Sequence, residues 1–178
     1  QRQMCIRDRD KPDPVLYSRF RSILGGIAHA ANWVHKEMLL AVGMLSRVMI
    51  NPSQVHMDLL IHLAGYLKGV ANKPLLMKGN SRLFPGEKIK LWGYCDADYA
   101  GCVDTGRSTS GYSIFGDGNL LSCYSGLQPT VALSTTQAEW GALVSIVTMI
   151  MWFLNLFSEL GFEAVSYTHL TLPTRSYV

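Results

Sequence analysis

Two acidic residues stand where they could share a divalent cation. Asp96 ends a run of alternating apolar and polar residues, which predicts a β-strand, and Glu139 lies in a later predicted helix. When a strand and a helix pack together they can bring such carboxylates into contact, and carboxylate-bound metal ions catalyse phosphodiester cleavage. Asp98 follows Asp96 by two residues and so lies on the same strand face. The competing interpretation is that these acids are simply solvated, as most acids at strand ends and on helices are.

Three motifs surround these acids: WGYCDADYAG, GRSTSGYSIFGDG and QPTVALSTTQAEW. Together they resemble the ribonuclease H domain of copia-type LTR-retrotransposon polyproteins, whose pattern reads roughly SDADWAG, RSTSGY, SKKQP and ALS-x-x-EAEY. The ordered match extends over about fifty residues and is far more specific than one short motif. The resemblance implies that Asp96 and Glu139 are the first two of four carboxylates that hold two Mg²⁺ ions, with Asp98 as a further candidate ligand.

The same resemblance implies that the substrate is RNA in an RNA–DNA hybrid, recognised by duplex shape, 2′-hydroxyls and phosphates. Arg107, Ser108 and Thr109 match the RSTSGY motif, and Gln128 matches the SKKQP loop, so these residues are candidate substrate contacts. The alternative is a structural loop whose hydroxyl groups satisfy its own backbone and whose Arg107 pairs with a carboxylate such as Asp104.

The chain departs from the family pattern in two respects. Gly126 and Leu127 stand where the family has lysines, and Cys123 stands where it has tryptophan, so we expect weaker phosphate contact. In the family the third and fourth carboxylates follow the helix, but no acid follows Glu163 here. Because Mg²⁺ gives up its waters reluctantly, we expect weak or absent Mg²⁺ binding and no hydrolysis by this chain alone. A decayed, non-catalytic remnant is the alternative.

Both ends of the chain resemble translated sequencing-adapter sequence. QRQMCIRD at the start and VSYTHLTLPT near the end are what an adapter gives when read in its two orientations. Residues 1–9 and 165–178 are therefore predicted to be artefacts and are excluded from the prediction of the fold. The formal charge of +3 then disappears, because 16 basic and 13 acidic residues become 12 and 12 without Arg2, Arg7, Arg9, Arg175 and Asp8. The rest of the chain is therefore about neutral, and its net charge gives no evidence for a nucleic-acid partner.

The rest of the sequence predicts a helical part followed by an α+β part. Residues 10–77 carry apolar residues at helical spacing in three runs, which end near residues 34, 50 and 69. This part resembles the end of a copia-type reverse transcriptase. Residues 78–90 contain Pro85-Gly86 and are predicted to be a linker.

Residues 91–164 are predicted to be the N-terminal half of a ribonuclease H-like domain, of α+β or α/β class. Three strands form an antiparallel meander in which Asp117-Gly118 is the hairpin signal. A helix capped by Ser134 or Thr135 follows and ends near Leu160, before Gly161. The predicted fold is incomplete because the later strands of the family are missing.

Two further features bear on where the protein works. Cys95, Cys102 and Cys123 lack metal-ligand spacing and indicate a reducing compartment. By resemblance we expect an intracellular protein in a cytoplasmic retrotransposon particle, with the rest of the Pol polyprotein as its partner. Residues 140–157 carry no charge and fall just under the roughly 20 residues that span a bilayer, so a membrane anchor is the alternative. We expect no membrane, because the run lacks a basic flank and lies between Glu139 and Glu159.

Overall fold

The first part of the chain is helical, and the second combines a sheet with one long helix. The structure, a computed structural model, describes residues 13–78 and 88–166, and the chain divides into the units Gln1–Leu76 and Met77–Val178. The mixed α+β class predicted from the sequence is confirmed. The helices of the first unit are α1 (Pro14–Trp33), α2 (Leu39–Arg47) and α3 (Gln54–Val70), with a 3-10 turn at Lys36–Met38.

Local capping explains where these helices begin. The Asp13 side chain accepts a hydrogen bond from the backbone N–H of Val15 at 2.9 Å, and Pro14 fits the first turn of α1. At the start of α3, Ser53 and His56 form a reciprocal capping box. The apolar faces of the helices meet in one core, formed by Phe20, Leu24, Ile27, Ala31, Met38, Val42, Leu45, Met57 and Leu60.

The second unit is a four-stranded sheet with a helix on one face, within the residues described. The strands are β1 (Ile89–Asp98), β2 (Thr109–Gly116), β3 (Asn119–Leu127) and β4 (Ala164–Ser166), in the order β3-β2-β1-β4. Both β1–β2 and β2–β3 pair in antiparallel fashion, which confirms the predicted meander. Helix α4 (Thr135–Glu159) follows β3.

The turn between β2 and β3 has the geometry that its sequence predicts. Asp117 has φ +47° and Gly118 has φ +83°, and two successive positive φ values characterise the type I′ hairpin turn. The Asp117 carboxylate also accepts a hydrogen bond from the backbone N–H of Lys90 at 3.0 Å, so the turn is fixed to β1.

The fourth strand lies outside the predicted three-stranded meander. Val165 and Ser166, which belong to the segment predicted to be translated adapter, pair in parallel with Lys90 and Leu91. The physical reason is that the edge of β1 offers unpaired backbone groups, which an extended segment can bind regardless of its origin. Ile89 is buried and pairs with Ala164, so the predicted linker 78–90 must end before Ile89. Residues 1–9, 79–87 and 167–178 lie outside the described residues.

Helix α4 packs through one apolar face. Its buried residues recur at every fourth position, Ala138, Ala142, Ile146 and Ile150, and the two isoleucines pack against Tyr112 and Ile114 of β2. The helix ends at Glu159, and Gly161, two residues later, has a φ of +82°, which suits a left-handed cap. Its other face leaves apolar side chains exposed, among them Trp140, Val144, Met151 and Trp152.

Candidate carboxylate site

Strand β1 and the first turns of α4 bring Asp96 and Glu139 together. Their carboxyl groups lie close enough for the charge of one to act on the other, and the backbone N–H of Ala97 lies beside the Glu139 carboxyl. Asp96 pairs with Gly111 of β2 in the sheet register, so the acid is held on a central strand. The arrangement places two oxygen-donor groups side by side on rigid elements.

The electrostatics of the pair favour a cation or a proton between the two groups. Partial burial raises the pKa of the Glu139 carboxyl above its ordinary value, and the negative charge of Asp96 raises it further. The Ala97 N–H acts in the opposite direction because it stabilises the ionised form. The nearby Cys95 thiol also has a raised pKa, first through burial and then through the charges of Glu139 and Asp96.

Local hydrogen bonds determine where α4 begins. The position of this start determines which part of β1 lies beside Glu139. Ser134 is the N-cap, and its hydroxyl accepts a hydrogen bond from the backbone N–H of Gln137 at 3.2 Å. The Gln137 side chain accepts in return from the backbone N–H of Leu133 at 2.7 Å. Glu139 lies in the second turn of the helix that begins at this cap.

Asp98 lies apart from this pair. A Cβ on Gly101 would fall 1.9 Å from one Asp98 carboxylate oxygen, which shows that this side chain lies directly against the loop after β1. Within residues 13–78 and 88–166, no group of three or more His, Cys, Asp or Glu side chains could hold a metal ion together. The site therefore offers two clustered acidic ligands in the described part of the chain.

The RSTSGY segment makes hydrogen bonds within its own loop. Ser108 is 0% exposed, and its hydroxyl accepts a hydrogen bond from the backbone N–H of Ala100 at 3.1 Å. Thr109 is also buried, whereas Arg107 is partly exposed. The salt bridges of the described residues do not include a pair between Arg107 and Asp104. The loop closes instead through backbone bonds, among them that from the N–H of Cys102 to the carbonyl of Arg107.

Gln128 is buried between the sheet and α4. Its side chain is connected by hydrogen bonds to Ser110 of β2 and to the backbone of Ala138. Two residues earlier, a Cβ on Gly126 would fall 2.0 Å from the Tyr124 hydroxyl oxygen. The Tyr124 ring therefore occupies the space beside Gly126, where the family pattern has a lysine.

A groove opens beside Gln128. It has a volume of about 440 Å³ and lies between the end of β3 and the first half of α4. Aromatic and amide side chains line much of it, including Tyr124, Gln128, Gln137 and Trp140. Trp140 directly follows Glu139 in the chain, so the groove and the carboxylate pair share the same turns of α4.

Sequence reasoning missed two participants in this region, Gly141 and Ala97. Gly141 stands in the middle of a helix that is otherwise free of glycine, which is a signal for close approach by a neighbouring group. The contribution of Ala97 comes from its backbone N–H, which has no signature in the amino-acid sequence.

The fold and site thus define an α+β unit with a carboxylate pair between a central strand and a helix. The Retrovirus-related Pol polyprotein from transposon TNT 1-94 of Nicotiana tabacum is 30% identical over 166 residues, 93% of this chain and 12% of that protein. An uncharacterized mitochondrial protein of Arabidopsis thaliana is 33% identical over 141 residues, 79% of this chain and 55% of that protein. Secreted RxLR effector protein 161 of Plasmopara viticola is 33% identical over 133 residues, 75% of this chain and 89% of that protein.

The chain belongs to the copia-type family of retrovirus-related Pol polyproteins from transposons. It spans only 10–12% of the length of the Pol polyproteins that it matches. No family model matches the chain. No solved structure matches it either.

Proposed function

We propose that the second unit is the N-terminal part of a ribonuclease H domain, whose parent polyprotein hydrolyses RNA in RNA–DNA hybrids. The single observation that carries this proposal is the proximity of the Asp96 and Glu139 carboxyl groups, on β1 and on the helix α4 that packs against it. Two ionised acids repel each other, and the raised pKa of Glu139 expresses that repulsion together with burial. A functional cation site is a physical reason to keep such a pair.

The donor set fits Mg²⁺, which prefers carboxylate oxygens and commonly uses one or two carboxylates with waters and phosphates. Asp96 and Glu139 would hold it. When bound, the ion would stabilise negative charge on a phosphodiester and lower the pKa of a water. The protein itself contributes the orientation of the two carboxylates, through the register of β1 and the packing of α4 on the sheet.

We propose that this chain alone does not hydrolyse RNA. Two clustered acids are fewer than the four that the family resemblance implies, and in the described residues no third ligand joins them. The proposed partners are the remaining parts of the polyprotein, in a cytoplasmic particle. The alternative is a non-catalytic remnant, which is favoured by one relative: a protein named a secreted effector consists largely of the matching segment.

A titration with Mg²⁺ and a cleavage assay test the proposal. The wild-type chain should bind Mg²⁺ weakly, and Asp96→Asn and Glu139→Gln should each abolish binding. The matched control is Asp98→Asn, because Asp98 lies on the same strand but against Gly101. We expect no cleavage of a labelled RNA–DNA hybrid by the chain, and cleavage once the chain is extended through its native continuation. Cleavage by the chain alone that Asp96→Asn removes would overturn the proposed inactivity, and Mg²⁺ binding unaffected by both substitutions would overturn the site.

The membrane alternative rests on one observation. Helix α4 is long and apolar enough to cross a bilayer by length and composition, although core helices of soluble proteins meet the same criteria. Against insertion, α4 uses one face to pack on β1 and β2. Flotation with phosphatidylcholine vesicles distinguishes a membrane anchor from a helix that packs only within the protein. We expect the chain to stay in the aqueous fraction, and stable co-flotation would favour an anchor.

A further inference from the structure

Gln128 joins three elements of the second unit. Its side-chain amide nitrogen donates to the Ser110 hydroxyl and to the Ala138 carbonyl, both at 2.8 Å. Its backbone N–H donates to the carbonyl of Ser108, also at 2.8 Å. The residue is only 8% exposed, so these bonds are made away from water. It therefore ties the end of β3 to the start of β2 and to the first turn of α4.

The partners of the Gln128 amide are the immediate neighbours of the carboxylate pair. Ala138 directly precedes Glu139 in α4. Ser110 directly precedes Gly111, which is the register partner of Asp96 in the sheet. The two hydrogens of one amide group thus connect the helix turn that carries one acid to the strand position that faces the other.

Helix α4 leaves room for this amide because position 141 is a glycine, which has no side chain. A Cβ added to Gly141 would lie 2.8 Å from the Gln128 amide nitrogen and 3.2 Å from its amide carbon. Gly141 lies one turn after Ala138, so the amide fits against the backbone of α4. The Gln128 side chain therefore has a fixed position. It is buried, it makes two hydrogen bonds, and it packs against a glycine.

We infer that Gln128 is a positioning residue, which sets the separation of the Asp96 and Glu139 carboxyl groups by holding the first turn of α4 to β2. The inference rests on the proposed function insofar as it concerns Mg²⁺. It assigns both amide hydrogens of Gln128 to partners within the protein, whereas the sequence predicts Gln128 as a candidate substrate contact. Groups that orient metal ligands typically change metal affinity by 10- to 100-fold when they are removed.

The test compares Gln128→Met with Gln137→Met. The first keeps the length of the side chain and removes both donated hydrogen bonds. The second removes a cap from the same end of α4, the acceptor for the Leu133 N–H, without touching β2. We expect Gln128→Met to lower the affinity for Mg²⁺ about tenfold, measured by calorimetric titration. Gln137→Met should leave the affinity unchanged.

A second measurement does not depend on the metal. The Ala97 amide proton lies beside the Glu139 carboxyl, so its chemical shift and hydrogen exchange report whether the helix turn stays against the strand. In metal-free protein, Gln128→Met should move this resonance and accelerate its exchange, and Gln137→Met should not. If Gln128→Met does not fold, Gln128→Glu, which keeps size but loses the donating NH₂, takes its place.

The outcomes separate the two proposals. An Ala97 amide that is unchanged in a folded Gln128 variant would overturn the positioning role, whatever the metal does. If the wild-type chain shows no Mg²⁺ binding that Asp96→Asn removes, the proposed function fails, and the Ala97 measurement still decides the role of Gln128. Loss of Mg²⁺ affinity in Gln137→Met equal to that in Gln128→Met would show general destabilisation and would also overturn the inference.

Discussion

Replacing Gly141 by alanine measures how tightly the Gln128 amide is held. In an open helical position, glycine to alanine stabilises a protein by about 1 kcal/mol because the unfolded chain loses freedom. At Gly141 the new Cβ would come 2.8 Å from the Gln128 amide nitrogen, which is too close for the amide to stay in place. Displacement of the amide breaks its bonds to Ser110 and Ala138, each worth about 1 kcal/mol.

The expected net effect of Gly141→Ala is therefore a loss of about 1 kcal/mol, from a gain of about 1 and a loss of about 2 kcal/mol. In a Gln128→Ala background the amide is absent, and the same substitution should stabilise by about 1 kcal/mol. The double-mutant cycle then gives a coupling energy of about 2 kcal/mol between the two positions. Gly65→Ala is the control for helix propensity, because a Cβ there meets nothing within 4 Å.

Urea unfolding provides the measurement. Trp92, Trp140 and Trp152 lie in the second unit, and Trp33 lies in the first, so fluorescence with circular dichroism can separate the two transitions. If Gly141→Ala stabilises the second unit equally in both backgrounds, the amide is not tightly held, and the argument for its positioning role loses its structural basis.

Three further predictions concern charge and the chain ends. The folded-state pKa of Glu139 is raised, so the carboxyl supports stability below its ordinary value of 4.5 and loses that support as pH rises through the folded-state pKa. Glu139→Gln should therefore raise the melting temperature at pH 7, and the gain should vanish in a melt below pH 4.5. Leu127→Lys should tighten binding to an RNA–DNA hybrid and steepen its salt dependence by about one unit, whereas Leu160→Lys, at the far end of α4, should not. Deletion of residues 1–9 and 167–178 should leave the melting temperature unchanged, and deletion from Val165 onward should lower it, because the second deletion removes the pairs with β1.

Local sequence signals were sufficient for most of the secondary structure. The hairpin at Asp117-Gly118 is predictable because few residues tolerate positive φ, and the cap at Ser134 is predictable because its hydroxyl serves the helix that follows it. The predicted second helix extended to residue 50, whereas α2 ends at Arg47. Helix ends of this kind depend on tertiary contacts, which periodicity does not contain.

Non-local pairing was the main feature that the sequence did not reveal. The strand β4 has three residues, too few for a period-2 pattern, and its partner β1 lies more than seventy residues earlier in the chain. The proximity of Asp96 and Glu139 could be predicted from the order of the three motifs. The orientation of the Gln128 amide could not. The amino-acid sequence does not distinguish a buried glutamine from an exposed one in a loop. For Gln128 the packing of α4 makes that distinction.

The positions that break local rules converge on the carboxylate pair. Gly141 lowers helix propensity where Gln128 approaches, and Gly93 weakens β1 where a Cβ would lie 2.6 Å from Ile146. Asp96 and Glu139 place like charges in contact. Each choice opposes stability by itself, yet the glycines let α4 approach the sheet, and that approach brings the acids together. Local conflicts that share one geometric consequence are expected at a functional site, because a sequence under selection for stability alone would remove them.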